Sequence, residues 1–365
     1  MPHYIRFLKS PKIEKERSIP NSSPQVSIKT LITITTDLGD AFLAEDVELA
    51  ATIILLDSCV KQQNFLWQPG FRQLAISMTA GTDLTKHTIQ LKIGPAGEGQ
   101  DSDCVGSGSV PSIISAWSPP FGGPSLLPAE KLVLRRFKTH FIPDLQIWED
   151  TGNSIARHIW DVSLACLMLF QDVLDKSSKN QNLATASFRD LFLRRSETTR
   201  FRVIELGAGC GIVGIALAQW MANCTVILTD LEEVREIIDR NVERAEPTAG
   251  SDIHFRVLDW DQSIPDEEPI RQRFDMIVMS DCTYNPDSLP ALVGTMAALV
   301  DQSPDASIIV GIKRRHDSED IFFDLMRDAN LGMHGKLAVP LLSSGASHET
   351  VNIEIYCFRQ LRSAT

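Results

Sequence analysis

The sequence predicts an α/β fold, a mostly parallel sheet covered by helices over residues 136–365, preceded by a β-rich region over 1–135. Three observations lead there. After about residue 136 short apolar strands alternate with helical segments, the pattern of βαβ units. One of those strands, FRVIELG at 201–207, runs directly into a glycine turn and an apolar helix. Before residue 135 the texture is β-like and loop-rich, with no catalytic signature.

Taken in order, TLITITTDLG, FRQLAISMTA and HTIQLKIG read as strands, because their β-branched and alternating residues suit a half-buried pleated surface. Residues 94–125 are dense in Gly, Ser and Pro, which favours turns, so this stretch reads as a linker between two parts or an insertion between strands. FRVIELG is a buried strand, and IVGIALAQWMA (212–222) is a helix apolar on nearly every face. CTVILTD (224–230) is the next strand. Asp230 is placed to cap the helix LEEVREIIDRNVERA, where Leu231, Val234, Ile238, Val242 and Ala245 share a face. Further strands are IHFRVLDW (253–260), FDMIVMSD (274–281), ASIIVGIK (306–313) and VNIEIYCFR (351–359). The last follows helical IFFDLMRDA and a Gly/Pro-rich loop, so a hairpin-like pair can end the sheet.

Composition narrows the function classes. With 365 residues, 43% hydrophobic and 22% charged, the chain can bury a core in two unequal parts. Lys and Arg total 35 against 47 Asp and Glu, a net charge of -12, which argues against the broad cationic surface that nucleic acid requires. The seven cysteines are scattered without a CxxC pair or a histidine cluster, so no metal site or disulfide framework is expected. The first residues, MPHYIRFLKSPKIEKERSIP, lack the apolar stretch of roughly 7–15 residues that a signal peptide needs. No run approaches the roughly 18 apolar residues of a membrane span. The expectation is a soluble, monomeric, cytoplasmic protein, with the nucleus also open, and with neither a membrane nor a nucleic acid as partner.

The densest chemical signal is VIELGAGCGIVG (203–214). Gly207, Gly209 and Gly211 let the backbone turn and approach a ligand without Cβ obstruction, and the following helix offers free N–H groups. Gly209, Gly211 and Gly214 also satisfy GxGxxG, so a dinucleotide is one reading. Glu205 would repel a pyrophosphate but suits a cationic ligand such as S-adenosylmethionine, which carries a sulfonium and an amino group. Asp230 closes the second strand, where a carboxylate can accept hydrogen bonds from both ribose hydroxyls. Trp260, in LDWD at 258–261, offers a flat face for adenine, with Asp259 or nearby backbone at the ring edge.

Together ELGAGCG, Asp230 and LDW resemble the first three cofactor motifs of the seven-strand S-adenosylmethionine-dependent methyltransferases. HIWDVSLACLMLF (158–170) and MSDCTYNPDSLPALV (279–293) are similar to segments of the family 16 methyltransferase-like proteins, largely protein-lysine methyltransferases. The resemblance covers most of residues 140–359. It implies a Rossmann-like seven-strand sheet, mostly parallel with an antiparallel last strand. It also implies transfer of a methyl group from S-adenosyl-L-methionine to the side-chain amine of a lysine in a protein substrate. On matching positions it implies Trp160 over the cofactor, with Glu205, Gly207, Ala208, Gly209, Asp230, Leu231, Trp260 and Ser280 around it. Asp281 and Tyr284 form the D-x-x-Y pair beside the acceptor.

Methyl transfer from a sulfonium is an in-line displacement that needs a neutral nucleophile roughly 3–3.5 Å from the methyl carbon. A lysine amine, with an ordinary pKa near 10.4, is almost wholly protonated at neutral pH, so the site must favour its neutral form or accept its proton. Asp281 is expected to accept hydrogen bonds from the amine and Tyr284 to wall the channel. Lys313, Arg314, Arg315 and His316 are either a solvated loop or a basic turn that attracts an acidic protein. Cys282 reads as inert lining, and His140 and His158 as structural. Three alternatives stand beside this reading: a small-molecule N-methyltransferase, a non-catalytic cofactor-binding adaptor, and an NAD-dependent oxidoreductase.

Overall fold

The structure is a computed structural model that describes residues 1–16, 25–97, 103–106, 110–152, 154–175, 188–189, 199–266, 268–341 and 351–361. The N-terminal part is two β-sheets packed face to face. One has the strand order Leu74–Gly81, Gln25–Thr35, His3–Lys15, Ile113–Ile114. The other runs Leu145–Asp150, Leu132–Lys138, Ala116–Trp117, Thr88–Pro95, Val47–Leu55, Ser58–Trp67, with two short strands beside this path. Alternation along the strands turns Ile5, Phe7, Ile28 and Ile32 inward to meet Leu49, Ile53, Trp67 and Leu91 in one core.

The boundary expected at 135/136 falls inside the strand Leu132–Lys138, and Leu145–Asp150 pairs with that strand along its length, so the β part extends to about residue 150. The Gly/Ser/Pro-rich stretch is no simple linker either. Its described residues include Asp103–Cys104, Ile113–Ile114, Ala116–Trp117 and Phe121–Gly122, each paired into one of the sheets. Residues 98–102 and 107–109 of that stretch lie outside the described residues.

The C-terminal part is a three-layer α/β unit. Its strands are β1 Phe201–Leu206, β2 Cys224–Asp230, β3 Asp252–Val257, β4 Met276–Ser280, β5 Ser307–Ile312, β6 Leu331–Leu341 and β7 Val351–Gln360. The order across the sheet is β3-β2-β1-β4-β5-β7-β6, parallel from β3 to β5, with β7 antiparallel to both its neighbours. Strand β6 is a correction: its Gly332, Gly335 and Pro340 read as a loop, yet an edge strand tolerates proline because one side of its ladder is unpaired.

Helices α1 Asp161–Leu174, α2 Ile212–Trp220 and α3 Arg235–Arg244 contribute to the core on one face, and α4 Leu289–Gln302 and α5 Ile321–Asp328 to that on the other. All nine residues of α2 are buried, which explains its lack of a polar face. Leu231 departs from its expected place on the apolar face of α3. A 3-10 turn at Glu232–Val234 precedes that helix and leaves Leu231 half exposed at the end of β2.

The two parts share a continuous apolar core in which Tyr4, Leu134 and Trp148 join α1 and α2. Polar contacts fix the same seam. Asn241 of α3 accepts from Trp148 N–H at 2.8 Å and donates to the carbonyls of Trp148 and Cys210, satisfying backbone that no strand pairs. Arg135 and Glu149 form a fully buried ion pair, and the second Glu149 oxygen accepts from Ile159 N–H at 2.9 Å. Lys313, at the end of β5, donates to both oxygens of Asp37 and to Asp161, each at 2.8 Å, while Tyr4 donates to the other Asp161 oxygen. The solvated-loop reading of 313–316 is therefore wrong for its first residue, which is 6% exposed.

Candidate active site

The parallel strands β1, β2 and β4 end along one edge of the sheet, and the turns that leave them enclose a cavity of about 280 Å³. Gly207, Ala208 and Gly209 line it from the turn after β1, and Asp230 and Leu231 from the end of β2. Trp260 and Asp259 close it below, Ser280, Asp281 and Tyr284 face it from the end of β4, and Trp160 enters from the start of α1. Ten of the eleven residues singled out as catalytic or cofactor-binding thus meet around one space; Glu205 is the exception.

The glycine turn is required by contact as well as by dihedral angle. Gly207 and Gly209 have φ of +64° and +55°, in the left-handed region that glycine enters without strain. A Cβ on Gly207 would stand 2.5 Å from Cys282 Sγ, and one on Gly209 2.8 Å from the Ala156 carbonyl oxygen. Asp230 fixes this turn instead of capping α3: Oδ2 accepts from Gly209 N–H at 2.8 Å and Oδ1 from Leu231 N–H at 2.7 Å. Each oxygen keeps a lone pair, the pattern needed for two vicinal hydroxyls. Burial raises the Asp230 carboxyl above its ordinary range, and the two backbone N–H bonds oppose that shift.

Glu205 sits behind the turn. It is 1% exposed, and its Oε2 accepts from Gly214 N–H at 2.8 Å inside the first turn of α2. The expectation that it lies beside a cationic ligand is corrected accordingly: its carboxyl ties strand to helix. Burial pushes it up to about 8, so the folded protein keeps a proton that the unfolded chain releases. Stability from this group is full below the unfolded carboxylate range and declines as pH rises through about 8. Glu205→Gln, neutral at every pH, should therefore melt higher relative to wild type at pH 9 than at pH 6, by an amount on the order of 1–2 kcal/mol. Thermal unfolding at the two pH values checks this.

Asp281 occupies a strained position at the end of β4, with φ of +61° in a non-glycine residue and 6% exposure. Arg315 grips it with both guanidinium arms, each nitrogen donating to a separate carboxylate oxygen at 2.7 Å. Burial raises the Asp281 carboxyl and Arg315 pulls it back down. The Arg315 guanidinium also lies 5.8 Å from the centre of the Trp160 ring. Tyr284 is 56% exposed, its ring forming part of the cavity rim. Ser280 and Ser163 hydroxyls approach at 3.3 Å on the cavity floor. Burial raises the Cys282 thiol well above its ordinary value, which leaves it an inert wall.

A second cavity, of about 670 Å³, adjoins the first. The N-terminal sheet supplies Arg6, Thr35, Asp37 and Phe42 to it, and the C-terminal part supplies Arg315. Five residues line both spaces: Ile155, His158, Trp160, Asp281 and Tyr284. Sequence reasoning missed the N-terminal wall, because nothing in an isolated β-strand marks it as the side of a cleft. His158, read as structural, makes a structural contact here. The ring is buried at the junction, with Nε2 3.1 Å from the Gly152 carbonyl, so it donates there as the neutral tautomer. Burial lowers its pKa, which keeps it neutral.

The residues present fit an adenosyl cofactor. Asp230 has two free lone pairs, the glycine turn clears space that a Cβ would fill, and Trp260 Nε1 is buried in the wall without a hydrogen-bond partner. Among the described residues no three His, Cys, Asp or Glu side chains gather as a metal site, and no helix is long and apolar enough to cross a membrane.

Fold and site together define a methyltransferase that uses S-adenosyl-L-methionine. More narrowly, the chain belongs to the lysine methyltransferase family, whose model matches residues 141–329. It is 26% identical over 330 residues to a UPF0665 family protein of Schizosaccharomyces pombe, covering 88% of this chain and 91% of that one. It is 28% identical over 190 residues to the protein N-lysine methyltransferase METTL21A of Danio rerio, covering 52% of this chain and 73% of that one. It is also 25% identical over 203 residues to the protein-lysine N-methyltransferase EFM6 of Saccharomyces cerevisiae, covering 52% and 77%.

Proposed function

We propose that this protein transfers a methyl group from S-adenosyl-L-methionine to the side-chain amine of a lysine in a protein substrate. The observation that carries this reading is the meeting of the two cavities at Trp160, Asp281 and Tyr284. One space suits the cofactor, the other is large and open enough for a polypeptide segment, and an amine passing between them reaches the shared rim. The order of the C-terminal sheet, β3-β2-β1-β4-β5-β7-β6, supports the seven-strand methyltransferase reading of the fold.

The bound cofactor supplies the methyl group on a sulfonium. Asp230 would hold its ribose hydroxyls, Trp260 the adenine, and the turn at Gly207–Gly209 the space between them. The protein's own task is to strip and aim the amine. Trp160 and Tyr284 line the rim, and a substrate segment seated over them would bury the incoming ammonium against two aromatic rings, so that it loses hydration and its neutral form gains ground. Asp281 then accepts from the amine N–H groups on lone pairs not used by Arg315, which fixes the direction of the nitrogen lone pair. No covalent intermediate on the protein is needed.

Incubation of the full chain with labelled methyl donor and cell extract, followed by mass spectrometry, tests the reading: methyl-lysine in one or a few proteins is expected, and label confined to small amines overturns it. Asp230→Ala should weaken S-adenosylmethionine binding by roughly a hundredfold, since two charge-assisted hydrogen bonds are lost. Calorimetry on the folded variant measures this.

A further inference from the structure

The N-terminal wall of the larger cavity carries charges that methyl transfer itself does not use. Both carboxylates that line the cavity are engaged, Asp37 on this wall by Lys313 and Asp281 on the facing side by Arg315. Two arginines on the same wall are not matched in this way. Arg6 donates to the backbone carbonyls of Thr36 and Asp37, at 3.4 and 2.7 Å, and its Nε is buried without a partner. Arg72 is exposed, with its guanidinium 5.9 Å from the centre of the Phe42 ring. Among the described residues neither arginine forms an ion pair with a carboxylate.

Beside them the wall is apolar. Leu8, Leu38 and Phe42 line the same cavity and are 52%, 50% and 38% exposed. The Thr35 hydroxyl, 3% exposed, also lacks a partner there. With a net charge of -12, the protein as a whole repels acidic segments, so two guanidinium groups without a direct ion pair make this wall of the cleft a locally basic surface.

We propose, on the reading that this cleft receives the acceptor polypeptide, that Arg6 and Arg72 select a segment with an aspartate or glutamate close to its acceptor lysine. An apolar side chain of that segment lies against Leu8, Leu38 and Phe42. Guanidinium groups hold carboxylates through paired, charge-assisted hydrogen bonds, whereas a lysine flanked by basic residues meets like charge. The basic element expected at Lys313–His316 is thus relocated to the opposite wall, since Lys313 and Arg315 are already paired.

Fluorescence anisotropy tests this with the full chain in the presence of S-adenosylhomocysteine. The probes are short fluorescein-labelled peptides of Gly and Ser carrying one Lys and one Leu, with Glu, Gln or Arg at the flanking positions. Glutamate peptides should bind about tenfold more tightly than their glutamine counterparts. In Arg72→Glu, an exposed substitution whose fold circular dichroism verifies, the order should reverse in favour of arginine peptides. Equal binding across the series, no binding by any peptide, or an unchanged order in Arg72→Glu overturns the proposal. Calorimetry with S-adenosylmethionine on the same protein free of S-adenosylhomocysteine reports separately on cofactor binding. A chain that ranks the peptides as expected yet binds no cofactor retains the acidic-segment site and loses the enzymatic reading.

Discussion

Lys313→Met should lose about 3–5 kcal/mol of unfolding free energy in urea, the usual cost of removing one partner from a buried ion pair. Lys313 Nζ stands 2.8 Å from oxygens of Asp37 and Asp161, whose side chains are 0% exposed. Burial works against the ammonium, but the two carboxylates outweigh it and raise the Lys313 pKa, so it is charged throughout the accessible range. Without it, two buried carboxylates share the seam, and the nearest remaining cation among the described residues is Arg315, 3.8 Å from Asp37. Burial, then the charge of Asp37, already push the Asp161 carboxyl up to about 6. The sign of the pH effect follows. Lys313 is what holds that carboxyl down, so in the variant Asp161 keeps its proton to a higher pH than in the wild type, and the repulsion grows as rising pH removes it. The variant's deficit should therefore be larger at pH 8 than at pH 5. Combining Lys313→Met with Asp37→Asn should recover part of the loss, because the pair is coupled. A deficit below about 1 kcal/mol at pH 8, or one independent of pH, would show that the seam is held by its apolar core alone.

Such a variant also explains how much the sequence disclosed. The α/β part was legible because its signals are local. β1, β2, β4 and β5 are short apolar runs buried on both faces, and the glycine turn fixes its own geometry through positive φ. Residues that converge at the ends of parallel strands could be assembled from strand order alone, which is why Gly207, Asp230, Trp260, Asp281 and Tyr284 meet as expected. Glu205 was misplaced because a strand residue near a ligand turn can point to either face, and its side chain points at Gly214. The N-terminal contribution was not legible. Asp37, Lys313 and Asp161 are 276 and 152 residues apart as pairs with the lysine, and no local pattern announces such a contact. The strand His3–Lys15 was hidden by its charges and Pro11, and the strand Leu331–Leu341 by glycines. The seam also rules out testing the N-terminal part by deletion. Removing residues 1–135 would cut through a paired strand and strip Arg135 from buried Glu149.

Asp281→Asn should lower turnover by about two orders of magnitude or more while leaving cofactor affinity nearly unchanged, the scale expected when one preorganised polar group is lost at the reacting atom. A loss of activity alone would not separate a role at the amine from a role in folding, since Arg315 would lose its only bidentate partner among the described residues. The pH profile separates them. Arg315 holds the Asp281 carboxyl down against burial, so Arg315→Met should let it rise further. If the carboxylate form is needed to receive the amine, the acidic limb of kcat/KM moves to higher pH in Arg315→Met, and that limb disappears in Asp281→Asn. The second limb, set by the acceptor amine itself, remains in both. Arg315→Lys should behave as an intermediate, since an ammonium keeps the charge but not the two-pronged grip. Profiles of unchanged shape, merely scaled down, would mean that the Asp281–Arg315 pair only braces the turn after β4, and Asp281 would then have no part in aiming the nucleophile.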